Sequence, residues 1–174
     1  WEHVKGADGG DVQVDPSNSR WLYVQSQYGN ISINDQKTSV RRNIKYKKKG
    51  LRFNYIAPVL ISPHNSNVLY HGANVLLRAD FRGMDWREIS PDLSNQEVCE
   101  DNGKVWGTIT TIDESPVQKG IIWAGTDDGN IHLTTDEGKT WKKVSNNLPD
   151  DIKNMHVSRV VASHHDPKKA YVTV

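Results

Sequence analysis

Residues Gly125–Trp141 read GTDDGNIHLTTDEGKTW, two tight turns separated by one short alternating run. Asp128-Gly129-Asn130 is a hairpin signal, because a type I′ turn needs positive φ at its centre and Gly or Asn adopts it at little cost. From Asn130 to Thr135 the side chains alternate, with Ile131 and Leu133 on one face and His132 and Thr134 on the other. Asp136-Glu137-Gly138 forms the second turn, and Thr140-Trp141 opens a further strand. Strand, turn, strand, turn, strand within 17 residues is a unit of antiparallel sheet.

Working outward, the unit repeats. Pro16, Pro63 and Pro116 are each followed seven residues later by an aromatic, Tyr23, Tyr70 and Trp123; His164 stands in the fourth copy, ahead of Tyr171. Successive copies lie 47, 53 and 48 residues apart. Tyr28-Gly29-Asn30-Ile31 matches Asp128-Gly129-Asn130-Ile131, and Gly83-Met84-Asp85-Trp86 matches Gly138-Lys139-Thr140-Trp141. A period of about 50 residues with four short strands and no helical periodicity is what one blade of a β-propeller requires. Gly, Pro, Asn and Asp interrupt every run before a helix could form.

The reading is therefore all-β: a propeller of four-stranded antiparallel blades, present as a partial ring of about three and a half blades. Its strands are expected near 10–14, 20–26, 30–34 and 38–44, then 53–61, 67–72, 74–79 and 85–89, then 106–113, 120–126, 130–135 and 140–144. In domain terms 1–174 is one partial propeller, with blades at 10–50, 51–105 and 106–150 and the first half of another at 155–174. Trp1-Glu2-His3-Val4 matches Trp86-Arg87-Glu88-Ile89, which puts 1–4 on the outer strand of a preceding blade. Incomplete blades would leave sheet edges unpaired, so the chain is expected to belong to a longer ring.

Composition agrees. Of the 14 aromatics 12 are Trp or Tyr, and Gly and Pro together number 20, as suits many short strands with frequent turns. No stretch approaches the roughly 18 apolar residues of a membrane span. Cys99 is the only cysteine, so no internal disulfide forms. The net charge of +1 hides an uneven distribution: Arg41, Arg42, Lys45, Lys47, Lys48, Lys49 and Arg52 place seven cations and no acid within twelve residues, while the remainder holds 15 basic and 21 acidic residues. Charge confined to one segment argues against a nucleic-acid binder, which is basic well beyond one loop.

Thr134-Thr135-Asp136-Glu137-Gly138-Lys139-Thr140-Trp141 fits Ser/Thr-x-Asp-x-Gly-x-Thr-Trp. It resembles the Asp box of BNR-repeat propellers, found in sialidases, xyloglucanase-type glycosidases and sortilin/Vps10 receptors. Arg52-Phe53-Asn54, Leu60-Ile61-Ser62-Pro63-His64, Ser90-Pro91-Asp92-Leu93, Trp123–Asn130 and Val157-Ser158-Arg159 extend the resemblance over nearly the whole chain, to the sortilin/Vps10-like proteins often labelled glycosyl hydrolase. The resemblance implies a structural role for Thr134, Asp136, Gly138, Thr140 and Trp141, with Asp136 tying the turn and Trp141 packing beneath it. In the preceding copy Ala79, Phe81 and Asp85 stand at the Ser/Thr, Asp and Thr positions, and Asp80, one residue off, is the candidate to rescue that turn; the first copy has no recognisable box. It also implies an extracellular, periplasmic or cell-envelope location. No catalytic position of the enzyme groups carries over residue by residue.

The other candidates read as structure. Asp11, Asp15, Asp113, Glu114, Asp127 and Asp128 fall at strand ends or turns, where solvated acids are the expected outcome. His164-His165-Asp166 sits in a turn where neighbouring side chains diverge, so no metal site is expected, and no cofactor either. Tyr23, Tyr70, Trp123 and Tyr171 share one register and are expected as packing between sheets; Trp21 and Trp106 lie outside it and are freer to meet a ligand. The basic run is expected as a solvated connection between blades and, with Ser90–Lys104, as the best interaction candidate. Two functions stand open: a noncatalytic scaffold binding protein, peptide or glycan on its loops or propeller face, completed by the remaining blades of its parent chain, and part of a glycoside hydrolase acting on polysaccharide.

Overall fold

A computed structural model describes residues 6–95, 100–101, 104–105 and 107–174, with only the backbone of 100, 101, 104 and 105. Trp1–Val4, Cys99 and Trp106 lie outside the described residues. The first sheet contains β1 (Gly9–Val14), β2 (Trp21–Ser26), β3 (Asn30–Asp35) and β4 (Val40–Asn43). The second contains β5 (Val59–Ile61), β6 (Leu69–Gly72), β7 (Leu76–Asp80) and β8 (Asp85–Glu88). A small ribbon, β9 (Glu100–Asp101) with β10 (Lys104–Val105), interrupts the connection to the third sheet. That sheet contains β11 (Ile109–Glu114), β12 (Ile122–Thr126), β13 (Ile131–Thr134) and β14 (Lys142–Lys143); after a 3-10 turn at Ser145–Asn147, β15 (Arg159–Ala162) pairs with β16 (Ala170–Thr173). Every sheet is an antiparallel meander whose strand order is the chain order. The fold is a partial β-propeller.

Neighbouring sheets pack face to face through apolar side chains, the second sheet on both of its faces. Tyr23, Ile31, Ile33 and Ile44 of the first meet Val59, Ile61, Leu69 and Ala79 of the second. Tyr70, Leu76 and Leu93 meet Ile109, Ile112, Ile122 and Ala124 of the third. Trp123 and Ile131 then meet Val157, Val160 and Ala162. The repeated aromatic is thus the centre of each inter-sheet core, with one exception. Tyr171 was expected in the core and is 68% exposed; the described residues hold no further sheet to cover its face.

Indole hydrogen bonds lock the stack. Trp86 Nε1 donates to the Ile44 carbonyl at 2.6 Å, and Trp141 Nε1 donates to the Ile89 carbonyl at 2.8 Å. Ile44 and Ile89 are the residues just past the outer strand of the preceding sheet, so each outer strand hooks onto its predecessor. Close approach needs glycine: a Cβ on Gly83 would lie 2.5 Å from Ile44 Cδ1, and one on Gly138 would lie 2.6 Å from the Ile89 carbonyl oxygen.

The turns differ more than their sequences do. Tyr28 and Gly29 both have positive φ (54° and 70°), as a type I′ turn requires. In the matching Thr126–Asn130 turn only Gly129 does, at 86°, and Gly129 N–H donates to the Thr126 carbonyl. It is a three-residue turn closed by a left-handed Gly rather than the expected type I′. A Cβ on Gly129 would also lie 2.3 Å from Asn154 Cα. Gly129→Ala is expected to destabilise the chain by about 2–4 kcal/mol, from left-handed strain plus backbone displacement; urea unfolding monitored by tryptophan fluorescence measures it.

Candidate functional site

The Thr134–Trp141 turn is built around one carboxylate. Asp136 Oδ1 accepts from Thr140 N–H at 2.9 Å and from the Thr134 hydroxyl at 2.8 Å, and Oδ2 accepts from the Thr140 hydroxyl at 2.6 Å. Thr134 Oγ1 in turn accepts from Gly138 N–H at 3.0 Å. Short polar side chains at these spacings replace the backbone ladder where it breaks, and Gly138 supplies the φ of 92° that turns the chain. The Thr140 hydroxyl and N–H and the Thr134 hydroxyl together hold the Asp136 carboxyl down at about 2.

The other two sheets solve the same turn differently. The first copy, read as lacking a box, uses Asp35: its carboxylate accepts from Lys37 N–H at 3.0 Å and the Thr38 hydroxyl at 2.7 Å. Arg20 binds both its oxygens at 2.6 Å and depresses its pKa. In the second sheet, Asp80 accepts from Arg78 and Arg87 instead of from the turn backbone. Phe81, Arg82 and Gly83 all take positive φ there, and Phe81 stands out into solvent.

Most of the basic run is engaged. Lys45 Nζ donates to the Tyr28 carbonyl at 2.8 Å and lies 5.2 Å from the centre of the Phe53 ring. Lys48 pairs with Glu88 at 2.8 Å. Arg52 reaches furthest, donating from Nη2 to Asp92 at 3.0 Å, Ser94 at 2.9 Å and the Gly107 carbonyl at 3.1 Å. Arg42 lies 3.6 Å from Met84 Sδ, and Arg41, Lys47 and Lys49 are exposed. The expected solvated connection is therefore a strap: Lys45 ties it to the first sheet's hairpin turn, Lys48 to the second sheet and Arg52 to the Asp92 network, and Lys47 and Lys49 face water.

Three of the six acids expected in solvent, Asp15, Glu114 and Asp127, are buried, and the other three are half-buried. Asp127 accepts from Gly107 N–H and Thr108 N–H, both at 2.9 Å, and from the Thr108 hydroxyl at 2.6 Å. Asn54 Nδ2 reaches the same carboxylate at 3.4 Å. Asp15 is buried under Ser17 and Asn18 amides and receives Arg82 from the second sheet. Glu114 is buried with Gly120 N–H on its carboxylate at 3.1 Å. Asp128 accepts from Asn95 N–H at 2.7 Å, and Asp11 from Gln13 Nε2 at 2.7 Å. Burial away from water is compensated by these donors, most of which come from turns and loops.

The first strands of all four sheets line one concave wall. Asp11 and Gln13, Pro58 to Leu60, Thr110 to Asp113, and Ser158 to Val161 border a shared depression, with His164 at its rim. Side chains of β11 bind the backbone of β15 there: Thr111 Oγ1 accepts from Val160 N–H at 3.1 Å and Asp113 Oδ2 from Ala162 N–H at 2.8 Å. Burial lifts the Asp113 pKa above the usual carboxylate value, partly offset by the Ala162 and Glu114 amides. His164 and His165 are exposed in their turn, and no group of three or more metal-ligating side chains is found among the described residues. Trp21 is half-buried beneath Arg20 and Arg82.

His71 was not singled out by sequence. It is fully buried beside Phe53 and Trp86, without a hydrogen-bond partner on either ring nitrogen among the described residues, and burial lowers its pKa to about 3. Only its place next to the repeated aromatic Tyr70 hinted at an inward side chain.

Among solved structures, the chain resembles an ancestral GH74 enzyme (TM-score 0.67, 18% identity), over 99% of this chain and 23% of the other. A GH74 xyloglucanase from Xanthomonas campestris matches at TM-score 0.61 and 21% identity, over 84% of this chain and 24% of its own. An auxiliary nutrient binding protein from Bacteroides thetaiotaomicron matches at TM-score 0.59 and 9% identity, over 94% of this chain and 35% of its own. The likeness is one of fold, and the chain spans about a quarter of the length of the GH74 proteins. No family model and no curated protein matches the chain.

Two outcomes test this geometry. Arg52→Ala leaves Asp92 without its cation in a largely buried network and should cost about 3 kcal/mol, read by urea denaturation. The Asp136 carboxyl has a folded pKa near 2 against an ordinary 3.8. Its contribution is complete above 3.8 and is lost as pH falls through 2. The melting-temperature gap between wild type and Asp136→Asn should accordingly be constant above about pH 5 and shrink towards pH 2.

Proposed function

We propose that these residues form part of a secreted or cell-envelope propeller of the BNR/sortilin-like kind, acting as a noncatalytic scaffold that binds a protein, peptide or glycan. The carrying observation is the commitment of the acids. Asp11, Asp15, Asp113, Glu114, Asp127, Asp128 and Asp136 each hold a backbone amide or a neighbouring side chain. Glycoside hydrolysis needs a pair of carboxyl groups facing one bond, one to donate a proton and one to attack or activate water. Seven carboxylates spent on turns and inter-sheet ties support binding instead. The exposed cations Lys47 and Lys49 and the polar concave wall are the surfaces offered to the ligand. Likeness to a nutrient binding protein accords with this.

One observation favours the alternative, that the segment belongs to a glycoside hydrolase acting on polysaccharide. Asp113 lies on the concave wall with its pKa raised, as a general acid requires, and the GH74 xyloglucanase shares the fold. Incubating the full protein with xyloglucan separates the two. The scaffold reading expects retardation in affinity electrophoresis without new reducing ends, and no effect of Asp113→Asn beyond the loss of a hydrogen bond. Release of reducing ends that falls at least about 100-fold in Asp113→Asn would establish the enzyme.

A further inference from the structure

At the outer rim, between the first two sheets, Val40, Phe81 and Met84 are 58%, 72% and 49% exposed and line a groove of about 270 Å³ floored by Trp21 and Ile33. Single exposed apolar residues need no explanation, whereas three lining one concavity do. The repeat sharpens the point. Phe81 holds the position where the third sheet has the turn-clamping Asp136, so this copy has exchanged its clamp for an aromatic in water. Phe81 and Arg82 also both sit at positive φ, 51° and 61°, a strained conformation for side chains of that size.

The groove is bordered by β4, which pairs only with β3 and presents its other edge without a sheet partner among the described residues. Val40 and Arg42, two residues apart, both line the groove. Of the charged groups there, Arg82 is bound by Asp15 and Asp35 by Arg20, while among the described residues Arg42 meets the weak thioether acceptor of Met84 and no carboxylate. We propose that this rim binds an extended peptide as a fifth strand beside β4, with an apolar side chain opposite Val40 and an acidic one two residues away, opposite Arg42. Cross-strand partners project to the same face, so an apolar-x-acidic spacing fills the Val40–Phe81–Met84 groove and pairs with the guanidinium together. A second copy of this chain fits poorly, since pairing β4 with itself at or near full overlap sets one arginine of Arg41 and Arg42 directly against another. The surface is separate from the concave wall and from Lys47 and Lys49, so its fate is independent of the proposal above.

Fluorescence anisotropy with a labelled Thr-Val-Thr-Leu-Thr-Glu-Thr peptide and the full chain tests it. Saturable binding is expected with a Kd on the order of 10–100 μM. Phe81→Ser and Arg42→Glu should each weaken it roughly tenfold while leaving the melting temperature unchanged, because both side chains are exposed. A peptide with Lys in place of Glu should recover binding to Arg42→Glu, and one with Leu and Glu adjacent should bind neither. Absence of binding, or binding indifferent to both substitutions or to the Leu–Glu spacing, would overturn the proposal. So would a Phe81-dependent dimer in sedimentation, or an oligosaccharide that occupies the groove where the peptide does not.

Discussion

No helix covers the apolar faces of these sheets, so each sheet borrows its stability from its neighbours, and the second is covered on both faces. Leu69, Leu76 and Ile122 are fully buried only because a neighbouring sheet lies over them. The repeated aromatic sets the depth of that packing, and the indole hydrogen bonds of Trp86 and Trp141 fix its lateral position. A hydrocarbon interface tolerates sliding; an N–H that must find one particular carbonyl does not. Strand positions, turn glycines and buried polar ties all follow from holding these faces in register.

Legibility followed sequence distance. The Pro-to-aromatic period marks β1 and β2 and their counterparts because it records packing positions, and packing repeats with the sheet. The Asp35 turn escaped because its threonine lies three residues on instead of four, and Ser39, not Gly, supplies the positive φ of 58°. Buried acids escaped for a different reason. Arg82 reaches Asp15 across 67 residues and Asn54 reaches Asp127 across 73, and no local pattern announces such partners. The basic run was visible as charge, yet the partners that turn it into a strap, Glu88 and Asp92, each lie 40 residues from Lys48 and Arg52.

Polar residues accordingly divide the labour with apolar ones. The apolar clusters hold sheet to sheet, while the polar networks close the ends where strands give way to loops. Arg52, Asn74, Asp92 and Ser94 form one such closure, with backbone groups of the second and third sheets as further members. Asn74, Ser94 and Asp127 are largely removed from water, so each missing donor would leave a costly orphan, and the networks rigidify the loop ends in return.

The indole contacts all run one way. Trp86 and Trp141 donate backwards along the chain, to the sheet that precedes theirs, and Gly83 and Gly138 receive isoleucines of the sheet before. Each contact is therefore directional: the earlier sheet supplies a carbonyl and an isoleucine, the later one an indole and a glycine. Contacts of that head-to-tail kind have no internal two-fold, and repetition alone gives them no stopping point.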